Sequence, residues 1–242
     1  MRNSRSSSSK PEWVEEAKRR AALKAVEHVK DGYVVGLGSG STAAYAIKEI
    51  GRKLRAGELT DVLGIPTSHQ AAMVAVEAGV PLTTLYEHPD VDVAIDGADQ
   101  IDPKLNLIKG LGAALTREKV VAESAKLFIV VADERKLVET LGGECPVPLE
   151  VLPFAVPRVL RELQKTALKA EVRHGTGKVG PIVTDNGNFI VDAHFERIEE
   201  PKELHKQLKA ITGVLETGIF PGIAKIAYVG TRKAVKRIER PA

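Results

Sequence analysis

From residue 13 to residue 30 the apolar positions Val14, Ala17, Ala21, Ala25 and Val29 recur near a 3.6-residue period, which predicts a helix with one buried face ending near Asp31-Gly32. An unbroken apolar run at 33–37 then reads as a strand. The alternation continues with a helix over 41–54, a strand at 62–65, a helix over 68–78, short strands near 82–85 and 91–95, a helix over 116–124 and a buried strand at 127–131. Strands alternating with helices predict an α/β fold with a mainly parallel sheet covered on both faces.

After Leu141 the texture changes, with Pro146, Pro148, Pro153 and Pro157 in a short interval. The pattern there predicts a strand at 147–152, a helix to about 165, strands at 170–173 and 181–193 broken by Asp185-Asn186-Gly187, a helix over 201–210 and a strand at 214–219. Asn186-Gly187 is a strong hairpin signal. The order βαββαβ is that of a smaller ferredoxin-like α+β unit. A further buried strand at 223–229 is expected to rejoin the first sheet. The expected division is a leader over 1–11, a catalytic domain over 12–141 plus 222–242, and the α+β domain over 142–221.

Composition narrows the function. The net charge is +3 from 35 Lys plus Arg against 32 Asp plus Glu, too even a balance for the basic field that grips nucleic acid. Five Phe, four Tyr and one Trp also argue against a base-stacking platform. Cys145 is the lone cysteine and reads as a packing residue beside Pro146, in keeping with a reducing cytosol. No apolar run approaches the roughly 20 residues that cross a bilayer, so a soluble, cytoplasmic protein without a membrane partner is expected. The six histidines show no metal-ligand spacing, and no metal or cofactor is expected. Ser68 and His69 read as a helix entry, 232–240 as a solvated face, and the Ser- and Arg-rich first ten residues as a floppy leader.

Two segments carry candidate chemistry. Residues 36–42 read GLGSGST, in which closely spaced glycines follow a strand and Ser41 and Thr42 open a helix. Backbone N–H groups at a helix start favour a phosphate. The spacing lacks the third glycine of a dinucleotide fingerprint and the Gly-Lys-Ser/Thr of a P-loop, so nucleotide binding is disfavoured. The second segment places Asp96 and Asp99 after a strand, Lys109 at a glycine-rich turn, and Glu118 near a helix start. Each has a purely structural reading as a turn former, a surface charge or a helix-dipole partner. Their clustering behind strand ends, where open parallel sheets bind ligands, favours a site.

Together, GLGSGSTA at 36–43, DGADQ at 96–100, IKGLGAALTREK at 108–119 and ADERK at 132–136 resemble the type A ribose-5-phosphate isomerase family, and the resemblance runs from about residue 12 to near the end. It implies a Rossmann-like domain with a smaller α+β domain, a homodimer or homotetramer, and metal-free interconversion of ribose 5-phosphate and ribulose 5-phosphate in the pentose phosphate pathway. Carried over by motif, it implies sugar-phosphate contacts at Lys18, Ser39, Gly40, Ser41 and Thr42. Further contacts are implied at Asp96, Gly97, Ala98, Asp99, Lys109, Gly110, Leu111, Gly112 and Lys136, with Glu118 as the proton acceptor.

Three departures stand out: Ser39 where Thr is frequent, Gln100 where Glu is usual, and Leu111 interrupting the commoner Lys-Gly-Gly-Gly. Leu111 puts a side chain where backbone alone is expected and could alter the substrate-facing turn.

The chemistry agrees with this assignment. Moving a carbonyl between C1 and C2 needs a base, an oxyanion partner and an acid. Glu118, kept ionised by the helix start, is suited to shuttle the proton, as a glutamate does in triosephosphate isomerase. Lys109 is the better candidate to stabilise the developing oxyanion. Asp96 and Asp99 accept protons from sugar hydroxyls and assist ring opening. The alternatives are a sugar-phosphate-sensing module, which would dispense with Glu118, and an aminosugar-phosphate deaminase of related fold, which the DGAD and LTREK blocks disfavour.

Overall fold

The computed structural model of the chain describes residues 11–240, so most of the leader lies outside the described residues. The chain runs α1 (Glu12–Val26), β1 (Val34–Leu37), α2 (Gly40–Arg55), β2 (Leu63–Pro66), α3 (His69–Ala78), β3 (Val91–Asp96), β4 (Gln100–Ile101), β5 (Leu107–Ile108), α4 (Leu115–Ser124) and β6 (Ala125–Asp133). There follow β7 (Val147–Val151), α5 (Val156–Leu163), β8 (Lys169–Val172), β9 (Phe189–His194), α6 (Pro201–Lys209), β10 (Val214–Thr217), β11 (Ile219–Phe220), β12 (Ile226–Gly230) and β13 (Val235–Glu239).

The main sheet has the order β13-β12-β6-β3-β1-β2, parallel except for the edge strand β13. Apart from β13, its strands are near-continuously apolar because both faces are covered. On one face α1, α2 and α3 pack through residues such as Ala21, Ile47 and Ala75; on the other, α4 packs through Leu115, Val121 and Ala122. From β1 the chain crosses to β2 on one side, then returns to β3 on the other. The carboxyl ends of β1 and β3 therefore flank a crevice at the point where the strand order reverses.

The second sheet, β10-β7-β9-β8, is antiparallel throughout and is built from β7, α5, β8, β9, α6 and β10 in that order, the predicted βαββαβ succession. A small sheet, β11-β5-β4, lies at the return from β10 to the main sheet, and Gly218 marks the break between β10 and β11. A Cβ on Gly218 would lie 2.3 Å from the Lys109 carbonyl, so only glycine lets these two backbones approach. At the far end of the chain, Gly230 packs against α1, where an added Cβ would fall 2.0 Å from the Ala17 carbonyl.

Several elements differ from the sequence reading. The first helix stops at Val26, and Val29 is buried by the turn that follows. The strand expected at 82–85 is a single bridge between Gly64 and Leu82, since Pro81 lacks a donor and a turn closed by Thr84 begins at once. Residues 181–184 make only isolated bridges beside Asn186-Gly187, although Gly187 adopts the expected left-handed turn with φ 80°. The pairs β4, β5 and β11 are too short to leave a periodic signal. The returning strand does join the main sheet, as β12, and the charged 232–240 segment pairs on it as β13 with mostly exposed side chains.

Candidate active site

The β1–α2 turn presents Ser39, Gly40, Ser41 and Thr42 at the crevice. Gly38 must be glycine because a Cβ there would lie 2.2 Å from the Asp96 carboxylate, and Gly40 has φ 89°. Ser39 N–H donates to Asp96 Oδ1 at 3.0 Å, while its Oγ lies 2.8 Å from Thr67 Oγ1 and 2.6 Å from Ser68 Oγ. The buried Lys18 of α1 donates to Ser41 Oγ at 3.1 Å and to Glu15 at 2.8 Å. Gly40 N–H donates to Gln70 Oε1 at 2.9 Å. Ser68 caps α3 by accepting from Ala71 N–H, as the helix-entry reading expects, and His69 contributes its backbone N–H to Asp185.

Beneath this turn lies a buried cluster of charge. Asp96 at the end of β3, Lys109 after β5 and Glu118 in the first turn of α4 are all buried. Lys109 Nζ stands 3.1 Å from Asp96 Oδ2 and 3.2 Å from Glu118 Oε2, and donates to the Gly97 carbonyl at 2.6 Å. The two carboxylate oxygens are within ion-pair distance of the ammonium, but neither has an aligned hydrogen bond among the described residues. Asp96 Oδ1, in contrast, accepts from both Ser39 N–H and Gly97 N–H.

Burial chiefly raises the pKa of Glu118, the nearby Asp96 charge adds to the rise, and Lys109 opposes it. Burial likewise raises Asp96, against the pull of Lys109. Lys109 is held more basic than an ordinary lysine because the two carboxylates outweigh its own desolvation. This corrects the expectation that the helix start keeps Glu118 ionised. A helix N-terminus supplies about 0.3–1 kcal/mol, whereas removing an ion from water costs several kcal/mol, so burial wins.

Asp99 Oδ2 accepts from Leu111 N–H at 2.9 Å, and its other oxygen stands 3.9 Å from Lys136 Nζ. Leu111 itself does not take a left-handed conformation. The left-handed conformations fall on Gly110 (φ 102°) and Ala113 (φ 61°), and Leu111 lies at the cleft, 44% exposed. Gln100 is structural, its amide both donating to and accepting from the Gly142 backbone.

A cleft of about 1130 Å³ joins these parts. Lys18, Ser39, Gly40, Ser41, Thr42, Gly97, Ala98, Asp99, Lys109, Gly110, Leu111, Gly112, Glu118 and Lys136 all line it, and Asp96 lies directly beneath. The sequence reading missed Gln70, Asp133, Arg135 and residues 182–185, which also line it. Of these only Asp133 and Arg135 carried a sequence signal, lying inside the ADERK block. Cys145 lines the cleft too, half-buried, with burial raising its thiol pKa to about 11. Among the described residues no three His, Cys, Asp or Glu side chains converge as a metal site, and no helix is long and apolar enough to cross a membrane.

A family model described as ribose 5-phosphate isomerase A (phosphoriboisomerase A) matches residues 63–234. Ribose-5-phosphate isomerase A of Pyrococcus horikoshii is 52% identical over 94% of this chain and 99% of its own. The chain belongs to the ribose 5-phosphate isomerase A family. The Thermococcus kodakarensis relative is 53% identical with the same coverage. A solved D-ribose-5-phosphate isomerase in complex with phospho-erythronic acid superposes with a TM-score of 0.92 at 52% identity, covering 94% of this chain and 99% of that one. The Plasmodium falciparum ribose 5-phosphate isomerase superposes at 0.89 with 38% identity, covering 94% and 100%.

Proposed function

We propose that the protein interconverts D-ribose 5-phosphate and D-ribulose 5-phosphate through an enediolate, with Glu118 as the proton shuttle. The observation that carries this reading is the Asp96–Lys109–Glu118 cluster opening into a cleft beside the Ser39–Thr42 turn. Glu118 takes the C2 proton of the open-chain aldose, and the electron pair moves onto the C1 oxygen. The Lys109 ammonium stabilises that oxyanion. Transfer of the O2 proton to O1 and return of the carbon-bound proton from Glu118 to C1 give the ketose, with no net change in protons or oxidation. A base of raised pKa suits this task, because it must both take a carbon-bound proton and give it back.

Ser41, Thr42, the α2 start and Lys18 hold the phosphate at one end. Asp99 and Lys136 hold sugar hydroxyls, with Gly97, Ala98, Gly110, Leu111 and Gly112 supplying backbone and shape. Phospho-erythronic acid, the ligand of the solved relative, supports the assignment. It carries a phosphate at one end and at the other a planar, two-oxygen anion with the shape and charge of an enediolate. The reading also takes the division at 142–221, a homodimer or homotetramer, and cytoplasmic location.

Purified protein is expected to convert ribose 5-phosphate to ribulose 5-phosphate in excess EDTA. Activity that vanishes on chelation and returns with a divalent ion overturns the metal-free scheme; no conversion in any buffer overturns the substrate assignment.

A further inference from the structure

Arg173 follows β8 and lies outside the residues that line the cleft. Its backbone is fixed on both sides, the N–H donating to the Ile190 carbonyl at 2.8 Å and the carbonyl accepting from Ile182 N–H at 2.9 Å. One edge of its guanidinium pairs with Asp192 of β9, Nε to Oδ2 at 2.7 Å and Nη2 to Oδ1. Nη1 then reaches the turn after Lys109, donating to the carbonyls of Gly110 at 3.0 Å and Leu111 at 2.9 Å. Both side chains of the Arg173–Asp192 pair are largely buried, which makes the fork geometry well defined.

The Gly110 carbonyl and the Leu111 N–H belong to one peptide unit. A trans peptide is planar, so these two groups point in opposite directions. The carbonyl points at the Arg173 cation and the N–H at the Asp99 carboxylate. A flip of that plane would turn the N–H toward the cation and the carbonyl toward the anion, losing two charge-assisted bonds at once. Gly110, with φ 102° and no Cβ, is the kind of residue at which such a flip is otherwise easy.

We propose that Arg173, anchored by Asp192, is a positioning residue that locks the Gly110–Leu111 peptide and so holds the Asp99 carboxylate for the sugar. Arg173 touches no reacting atom; it acts through the turn. The inference rests on the isomerase reading for its catalytic consequence, although the lock itself is a structural statement.

The test combines kinetics with the amide spectrum of the full-length protein. Arg173→Met is expected to lower kcat/KM for ribose 5-phosphate by about a hundredfold, the scale of a misplaced site group. In an Asp99→Asn background the same change is expected to cost little more, because the path runs through Asp99. Equal losses in both backgrounds overturn the proposal. Independently of any activity, the Leu111 amide resonance is expected to shift on Asp99→Asn in the otherwise wild-type protein and to lose that response in the Arg173→Met background. A Leu111 amide unaffected by Arg173→Met overturns the lock even if the protein proves inactive on ribose 5-phosphate, whereas inactivity with the resonance behaving as expected leaves the lock standing and removes only the isomerase reading. Should Arg173→Met fail to fold, Arg173→Lys serves. A point charge cannot bridge Asp192 and two carbonyls, so the same two signatures are expected at smaller size, and their absence overturns the proposal.

Discussion

Glu118 and Glu150 are both buried carboxylates, yet their surroundings are opposite. Glu150, fully buried on β7, accepts from Thr184 Oγ1 at 2.8 Å, Asn188 Nδ2 at 2.8 Å and Asn186 Nδ2 at 3.0 Å. Its donors are neutral and aimed at it. Glu118 has an oxygen with no aligned donor and shares one ammonium with a second carboxylate. The first arrangement knits the 184–188 turn to its sheet. The second leaves bonding capacity unspent at the floor of a cleft, which suits a group that must exchange a proton. Satisfied donors, rather than burial, separate the structural acid from the reactive one.

The hardest blow to that contrast comes from Glu118→Gln, which keeps shape and removes the base. Turnover is expected to fall about a hundred- to ten-thousandfold, and exchange of the substrate C2 proton in heavy water should fall with it. If near-normal turnover survives, the reactive role belongs to Asp96 or Asp99 instead. Persisting exchange with no net isomerisation would place Glu118 in a later step.

Glu150→Ala should act on the other axis. It strands the buried donors of Thr184 and Asn188, each costing about 1–3 kcal/mol, so denaturant unfolding should show a loss of about 2–6 kcal/mol. Turnover per folded molecule should change far less than in Glu118→Gln. A variant as stable as wild type would show that the donor set around Glu150 does not hold the turn.

Ser41→Ala with Thr42→Ala tests the polar end of the cleft, where binding rather than proton transfer is at stake. Losing hydrogen bonds to a charged phosphate, worth about 1.5–3 kcal/mol each, should raise KM at least tenfold with a smaller change in kcat. Unaltered affinity for both ribose 5-phosphate and inorganic phosphate would move the phosphate elsewhere.

The smallest expected effect is a displacement in pH. With Glu118 raised by burial and by the Asp96 charge, the acid limb of kcat/KM should lie above the ordinary glutamate range, and activity should rise with pH as the base ionises. Asp96→Asn removes the second cause, so the limb should move to lower pH even though the rate falls. The sign for stability is opposite. A carboxyl whose folded pKa is raised favours the folded state below its unfolded pKa, and that contribution is lost as pH rises through the folded value. Glu118→Gln should therefore gain stability relative to wild type as pH rises above the usual glutamate range. A limb that stays put in Asp96→Asn would mean that desolvation alone sets the Glu118 pKa.

The contrast also explains what was legible in the sequence. GLGSGST and DGAD could be read because their residues are contiguous at strand ends, and the alternation of apolar runs marked most of the strands and helices that bring them together. The titration of Glu118 could not, because the helix start is local while burial is a property of the assembled core. Gln70 and Arg173 were equally hidden, since Gln70 meets Gly40 across 30 residues and Arg173 meets the Lys109 turn across more than 60. The short strands β4, β5 and β11 leave no period at all; tertiary pairing makes them.

The fit of Gly230 against Ala17 has a bearing on synthesis. Lys18, which reaches Ser41, is among the first functional residues to leave the ribosome. The surface that seats its helix includes β12, which emerges only after the second sheet is complete. A chain made only as far as residue 225 contains β6 and α2, against which α1 also packs, but not β12, so the seat of α1 is complete only when the final strands are made.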